Sequence, residues 1–320
     1  MRRSLFLLAA FSPALAGAIT IAIQPLDQGA GGVGGSGLTP AQMAVLASAA
    51  AGWEQLMPAY QDGITIHGVT VLASVSAFDG AGGTYAEAIV LDTTSEAGYF
   101  LATTASIKFD LADLAVLEAA SQLQTIARHE MAHALGFGTL WEFNGLASAG
   151  TGRYYGPSGV AAFRAEFLPG ATFVPVELGG GPATRDLHWN EIDNGTGLTG
   201  LTDSFGRDLA HDLMSGWTGP DPTRIFVSNT TLRSFEDLGF AVVPEPAPTT
   251  LATIPLCAWL LRRRREFLRS SRENSASSAE TGVIPAGALL AGWPPSAYHC
   301  PTNRYGNAIH LRPSAELPPG

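Results

Sequence analysis

The feature that most constrains this chain is the segment from Gln124 to Gly138, which contains His129-Glu130-Met131-Ala132-His133 followed by Ala134-Leu135-Gly136. Histidines at i and i+4 lie one turn apart on the same face of an α-helix, so both imidazoles can reach one ion. Glu130 stands beside them, in position for a general base. Two neutral imidazoles on a divalent ion most often mean Zn2+. A chain carrying this pattern has to fold so that the helix stops soon after His133 and a later segment returns to complete the site. Gly136 supplies the stop.

A catalytic zinc site takes three protein ligands and keeps one position open. Three residues beyond Gly136 stands Thr139, a poor zinc ligand, so the third ligand has to come from further along. Downstream and ahead of the terminal segments, only His188 and His211 remain. His188 lies in Asp186-Leu187-His188-Trp189-Asn190-Glu191, and His211 in Ala210-His211-Asp212-Leu213-Met214-Ser215-Gly216-Trp217. His67, on an expected strand, has no partner at ligand spacing and reads as a half-buried histidine. His299 and His310 carry no hypothesis. No G-x-S-x-G, phosphate-binding glycine loop or G-x-G-x-x-G before a helix points to another cofactor class.

Around this centre the pattern predicts an α+β domain in two lobes. Thr39-Pro40-Ala41-Gln42 is a capping-box start for a helix that ends by Pro58. Ile64 to Val71 alternates as a strand does, and a second strand is expected around Thr104 to Phe109. A long helical stretch runs from near Leu111 to Leu135, with a break around Ala120. Beyond Gly136 the chain turns Gly-, Pro- and Asn-rich, and a last helix is expected from Thr231 to Leu238.

Taken together, HEMAHALGFG, a distant His-Trp pair and Asp212-Leu213-Met214-Ser215-Gly216-Trp217 resemble the leishmanolysin branch of the metzincin zinc peptidases. The resemblance spans about Gln122 to Phe240. It implies a metzincin-like two-lobed domain: an N-terminal sheet with long helices, then an irregular C-terminal lobe with a Met-turn and a closing helix. It also implies that His188, followed by Trp189, is the third ligand of one catalytic Zn2+, and that Met214 belongs to the Met-turn, an apolar floor beneath the metal. His211, only three residues before Met214, would be crowded into that turn. The implied activity is hydrolysis of a protein or peptide substrate, with Glu130 as the general base. The alternative is a non-catalytic surface or matrix protein with a degenerate peptidase fold, stabilised by the same zinc. An insertion around Asp193 to Asp208 offers oxygen ligands of the kind Ca2+ takes, although loops of this composition are ordinarily solvated.

Charge and the chain ends bear on partners and location. Between Ile19 and Val242 there are 8 basic and 23 acidic residues, net −15, which makes nucleic acid a poor partner. Cys257 and Cys300, the only cysteines, lie outside that segment, so its fold cannot rely on disulfides. Residues 1–18 combine Arg2-Arg3, an apolar run and small residues, as a secretory signal peptide does. The domain is expected over 19–242. Residues 243–265 join Val243-Pro244-Glu245-Pro246, an apolar run and Arg262 to Arg265. They resemble the PEP-CTERM sorting tail of exported Gram-negative proteins, which implies transient membrane association and delivery to the periplasm, the cell surface or the exterior. Residues 266–320, rich in Ser, Pro and Gly, read as a disordered extension.

Overall fold

β1 (Thr20–Pro25) precedes α1 (Pro40–Leu56), and the Thr39 capping box that starts α1 is formed as expected. Thr39 Oγ1 accepts from Gln42 N at 3.3 Å, and Gln42 Oε1 accepts from Thr39 N at 2.8 Å. These contacts come from a computed structural model that describes residues 18–26, 37–191, 198–216 and 221–243. All of them belong to Met1–Ala247, the first of the chain's two units. The expected signal peptide, sorting segment and extension lie outside the described residues, apart from the boundary residues Ala18 and Val243. Asp193 and Trp217 lie outside them too.

After the short strand β2 (Ala59–Tyr60) come β3 (Gly68–Ser76), β4 (Ala86–Glu96) and β5 (Tyr99–Asp110). They form a mixed four-stranded sheet in the order β1-β3-β5-β4. β1, β3 and β5 run parallel, while β4 is antiparallel to β5 and lies on the edge. The strand expected at Ile64 starts four residues later, because pairing with β1 begins at Thr20 opposite Gly68. A Cβ on Gly68 would lie 1.8 Å from Thr20 O, so only glycine permits that close approach. β4 was not anticipated. It reaches β5 through Ala97-Gly98, both at positive φ (50° and 88°), as a two-residue hairpin turn requires.

The long helical stretch is divided into α2 (Leu114–Ala119) and α3 (Leu123–Ala134), with Ser121 at φ 57° between them. Thus the break predicted around Ala120 is real. α1 and α3 pack on the sheet, where Val69, Val71, Ala105 and Ile107 are buried with Leu46, Trp53, Ile126 and Met131. Each large apolar side chain removed from water contributes about 1.5–3 kcal/mol. Trp53 also ties the two helices together, donating from Nε1 to Arg128 O at 2.9 Å.

The second half holds β6 (Arg153–Tyr154), α4 (Pro157–Glu166), β7 (Val174–Pro175), α5 (Asn229–Ser234) and β8 (Phe240–Ala241). α4 is an addition to the expected elements, and its Gly156-Pro157 start was the overlooked signal. The expected closing helix divides into α5 and a 3-10 turn over Glu236–Leu238. An aromatic cluster replaces periodic secondary structure as the core of this half. Trp141 lies 4.9 Å from Trp189, 4.6 Å from Phe137 and 4.8 Å from Tyr154, centroid to centroid. The architecture is α+β, with a mixed sheet and helices before Gly136 and mostly irregular chain after it.

Candidate metal centre

α3 delivers His129 and His133 to one face, and both glycines after it serve the same site. Gly136 takes φ 113°, ending the helix so that Phe137 O accepts from His133 Nδ1 at 2.8 Å. Gly138, at φ 72°, lies directly beneath Leu187: a Cβ there would stand 2.4 Å from Leu187 O. The chain can therefore bring the next residue, His188, over the end of α3 only because position 138 lacks a side chain. Gly138→Ala is expected to destabilise the protein by about 2–5 kcal/mol through positive φ and overpacking. It should also weaken metal binding by displacing His188. Urea denaturation and a metal-competition titration read the two effects.

The three imidazoles converge. His129 Nε2 lies 3.0 Å from His188 Nε2 and 3.1 Å from His133 Nε2, and the His133–His188 distance is 3.0 Å. Each opposite ring nitrogen faces a backbone carbonyl: His129 Nδ1 to Leu213 O at 2.6 Å, His133 Nδ1 to Phe137 O, and His188 Nδ1 to Thr184 O at 2.9 Å. A carbonyl only accepts, so each Nδ1 carries the proton and each Nε2 presents a lone pair. Three lone pairs at 3 Å, without a proton between them, repel one another unless a cation lies among them. Nitrogens each 2.0–2.1 Å from one tetrahedral ion lie roughly 3.3 Å apart, close to the spacing found. The residues present fit a metal ion.

Electrostatics favour the neutral rings the ion needs. All three histidines and Glu130 are only 5–8% exposed. Burial lowers the pKa of His129, and it lowers that of His133 further with help from the other two rings. Burial, with the His129 ring beside it, brings His188 down to about 3. Glu130 moves the other way, raised to about 8 by burial and by the Glu87 carboxylate on β4.

A linkage prediction follows for the metal-free protein. The folded-state histidine pKa values lie below the unfolded value near 6.5, so the unfolded chain binds more protons as the pH falls through that value. The histidine contribution is then full above about pH 6.5 and declines below it, by about 1.4 kcal/mol per pH unit for each imidazole titrating only in the unfolded state, while Glu130, raised to about 8, acts in the opposite sense and offsets one imidazole. Urea unfolding of chelated protein between pH 7.5 and 5 should show this slope. A flat profile would contradict a buried neutral triad.

The turn over Asp212–Ser215 forms another wall of the site. Met214 is fully buried, and Met214 O accepts from Trp189 N at 2.9 Å, holding the residue after His188. Leu213 supplies the carbonyl that orients His129. Asp212, to which the sequence reading gave no role, organises the turn. Its Oδ1 accepts from Met214 N at 2.7 Å and Thr231 Oγ1 at 2.8 Å, and its Oδ2 from Ser228 N at 2.8 Å. An Asp two residues before a buried turn, with Ser and Thr on the closing helix, was the available signal.

The remaining candidates fall outside the cluster. His211 is buried but does not join the three converging rings. Thr139 Oγ1 donates to His133 O at 2.8 Å. His67, expected to be half-buried on a strand, is exposed and ends just before β3. In the described part of the 193–208 insertion, Asp208 accepts from Thr199, Gly200 and Ala210, and Asp203 pairs with Arg207. Those carboxylates are thus bonded within their own loop. No protein-family model matches the chain, and no curated protein is significantly similar to it.

Proposed function

We propose that the chain is an exported zinc endopeptidase of metzincin-like fold, with His129, His133 and His188 holding one catalytic Zn2+ and Glu130 acting as general base. The observation that carries this reading is the convergence of three Nε2 lone pairs, with a carboxylate on the same helical turn. A structural zinc has no need of that carboxylate. When bound, zinc supplies Lewis-acid activation of a water and of a carbonyl oxygen. Glu130 takes the proton from the attacking water and returns it to the leaving amine. A nearby cation lowers a carboxyl pKa, so Glu130, at about 8 without one, becomes a competent base near neutral pH. The outer edge of β4 has no strand partner among the described residues, and an extended peptide can add to it by main-chain hydrogen bonds. β4 packs beside α3, the helix that carries His129 and His133, which supports this edge as the peptide's docking strand.

The PEP-CTERM-like tail and the signal-peptide-like start support the reading of an exported Gram-negative protein. The test is cleavage of casein by purified zinc-loaded protein, stopped by chelation and restored by Zn2+. A second reading rests on the burial of the imidazoles: the ion only staples the loop-rich half to α3. The Glu130 variant argued in the Discussion separates the two.

A further inference from the structure

Away from the histidines, two buried aspartates lie where β5 ends. Asp110 and Asp113 are only 1% and 2% exposed, yet Oδ2 of each has no hydrogen-bond partner. Neither is neutralised, since the ion pairs of the described residues are Lys108–Glu87, Arg207–Asp203 and Arg233–Glu236. Two uncompensated carboxylates beneath the surface are costly, and such charges are normally paired or ligate a metal.

The side chains face one loop. Asp113 occupies the N-cap position of α2, where an aspartate ordinarily accepts from its own helix, but makes no such bond. Its Oδ1 instead accepts from Gly82 N at 2.8 Å. Asp110 Oδ1 accepts from Ala112 N at 3.1 Å and from Phe78 N at 3.4 Å. The chain over them, Phe78-Asp79-Gly80-Ala81-Gly82-Gly83-Thr84, is pinned at both ends: Leu111 N donates to Ser76 O and Asp110 N to Tyr85 O. No hydrogen bond among the described residues ends on a backbone carbonyl from Phe78 to Thr84. Asp79 is spent within the loop, accepting from Thr84 N and Oγ1.

We infer that Asp110 Oδ2 and Asp113 Oδ2, with carbonyls of the 78–84 loop, form a Ca2+ site distinct from the histidine centre. An all-oxygen donor set without nitrogen or sulfur selects a hard cation. Irregular backbone carbonyls suit Ca2+ better than Mg2+, which demands near-octahedral geometry and keeps its waters. The ion would neutralise the two buried charges and fasten the loop that leads into β4.

The test is a titration of CaCl2 into the full-length protein in calcium-free buffer, followed by calorimetry and thermal unfolding, with MgCl2 as the comparison. One Ca2+ per chain is expected to bind, with a dissociation constant of roughly 10⁻⁵–10⁻³ M, and to raise Tm where Mg2+ does not. Asp110→Asn and Asp113→Asn keep the Oδ1 acceptors but remove the charge. Each should weaken Ca2+ binding at least about tenfold, whereas His188→Ala should leave it unchanged. Wild-type Ca2+ binding in either aspartate variant would overturn the site. So would an absence of Ca2+ binding to the parent. If a variant fails to fold, hydrogen exchange of the parent decides: slowing of the 78–84 amides by Ca2+ supports the site, and unchanged exchange there refutes it.

Discussion

Glu130→Gln is expected to retain one zinc per chain while losing peptide hydrolysis by about 10²–10⁴-fold. The substitution keeps the size and the buried position of the side chain but removes its capacity to take a proton. The three Nε2 donors, and the carbonyls of Leu213, Phe137 and Thr184 that orient them, are untouched. Thermal stability should therefore stay close to that of the parent, or rise, because a buried ionisable group near Glu87 has gone. Parallel measurements of kcat/KM on casein, zinc content and Tm check this. Unchanged hydrolysis would remove Glu130 from the mechanism, whereas a parent protein that binds zinc without cleaving casein would leave only the structural-zinc reading.

The second large effect is loss of the ion. A ligand present at about 1,000 times its dissociation constant stabilises the folded state by about 4 kcal/mol. Chelation should accordingly lower Tm by roughly 10 °C for a domain of this size. His188→Ala should weaken zinc binding by more than the 10–100-fold that losing an outer hydrogen-bond partner of a ligand costs, and its Tm should no longer respond to chelation. Among the three converging imidazoles only that of His188 comes from the irregular half, so its loss removes the one tie that the metal would make between that half and α3. His211→Ala should leave zinc binding unaltered, because that ring stands apart from the other three. Equal zinc affinity in His188→Ala and the parent would refute the assignment.

The parts of the centre that could be read from sequence are those written in side chains. The i, i+4 spacing of His129 and His133 dictates convergence whatever surrounds it, and the exclusion of Thr139 required a distant third ligand. Selecting His188 over His211 needed the His-Trp and Asp-Leu-Met context. The carbonyls of Leu213, Phe137 and Thr184, which fix all three tautomers, have no sequence signature because every residue carries one. Gly138 resembled a loop glycine, and its close approach to Leu187 exists only in three dimensions. Asp212 lay within the recognised turn, but its three donors come from two separate segments. In the sheet, β5 was partly legible from its buried residues. β4, exposed along much of its length as an edge strand, lacks the hydrophobic alternation that announces a half-buried strand.

The most direct test of the central claim is the metal content and coordination of the purified full-length protein, read by elemental analysis and zinc-edge X-ray absorption. The account predicts one zinc per chain with three imidazole nitrogens at about 2.0–2.1 Å, falling to substoichiometric zinc in His129→Ala, His133→Ala and His188→Ala alike. A full zinc equivalent in the His188→Ala protein, or a coordination sphere with fewer than three imidazoles in the parent, would contradict it.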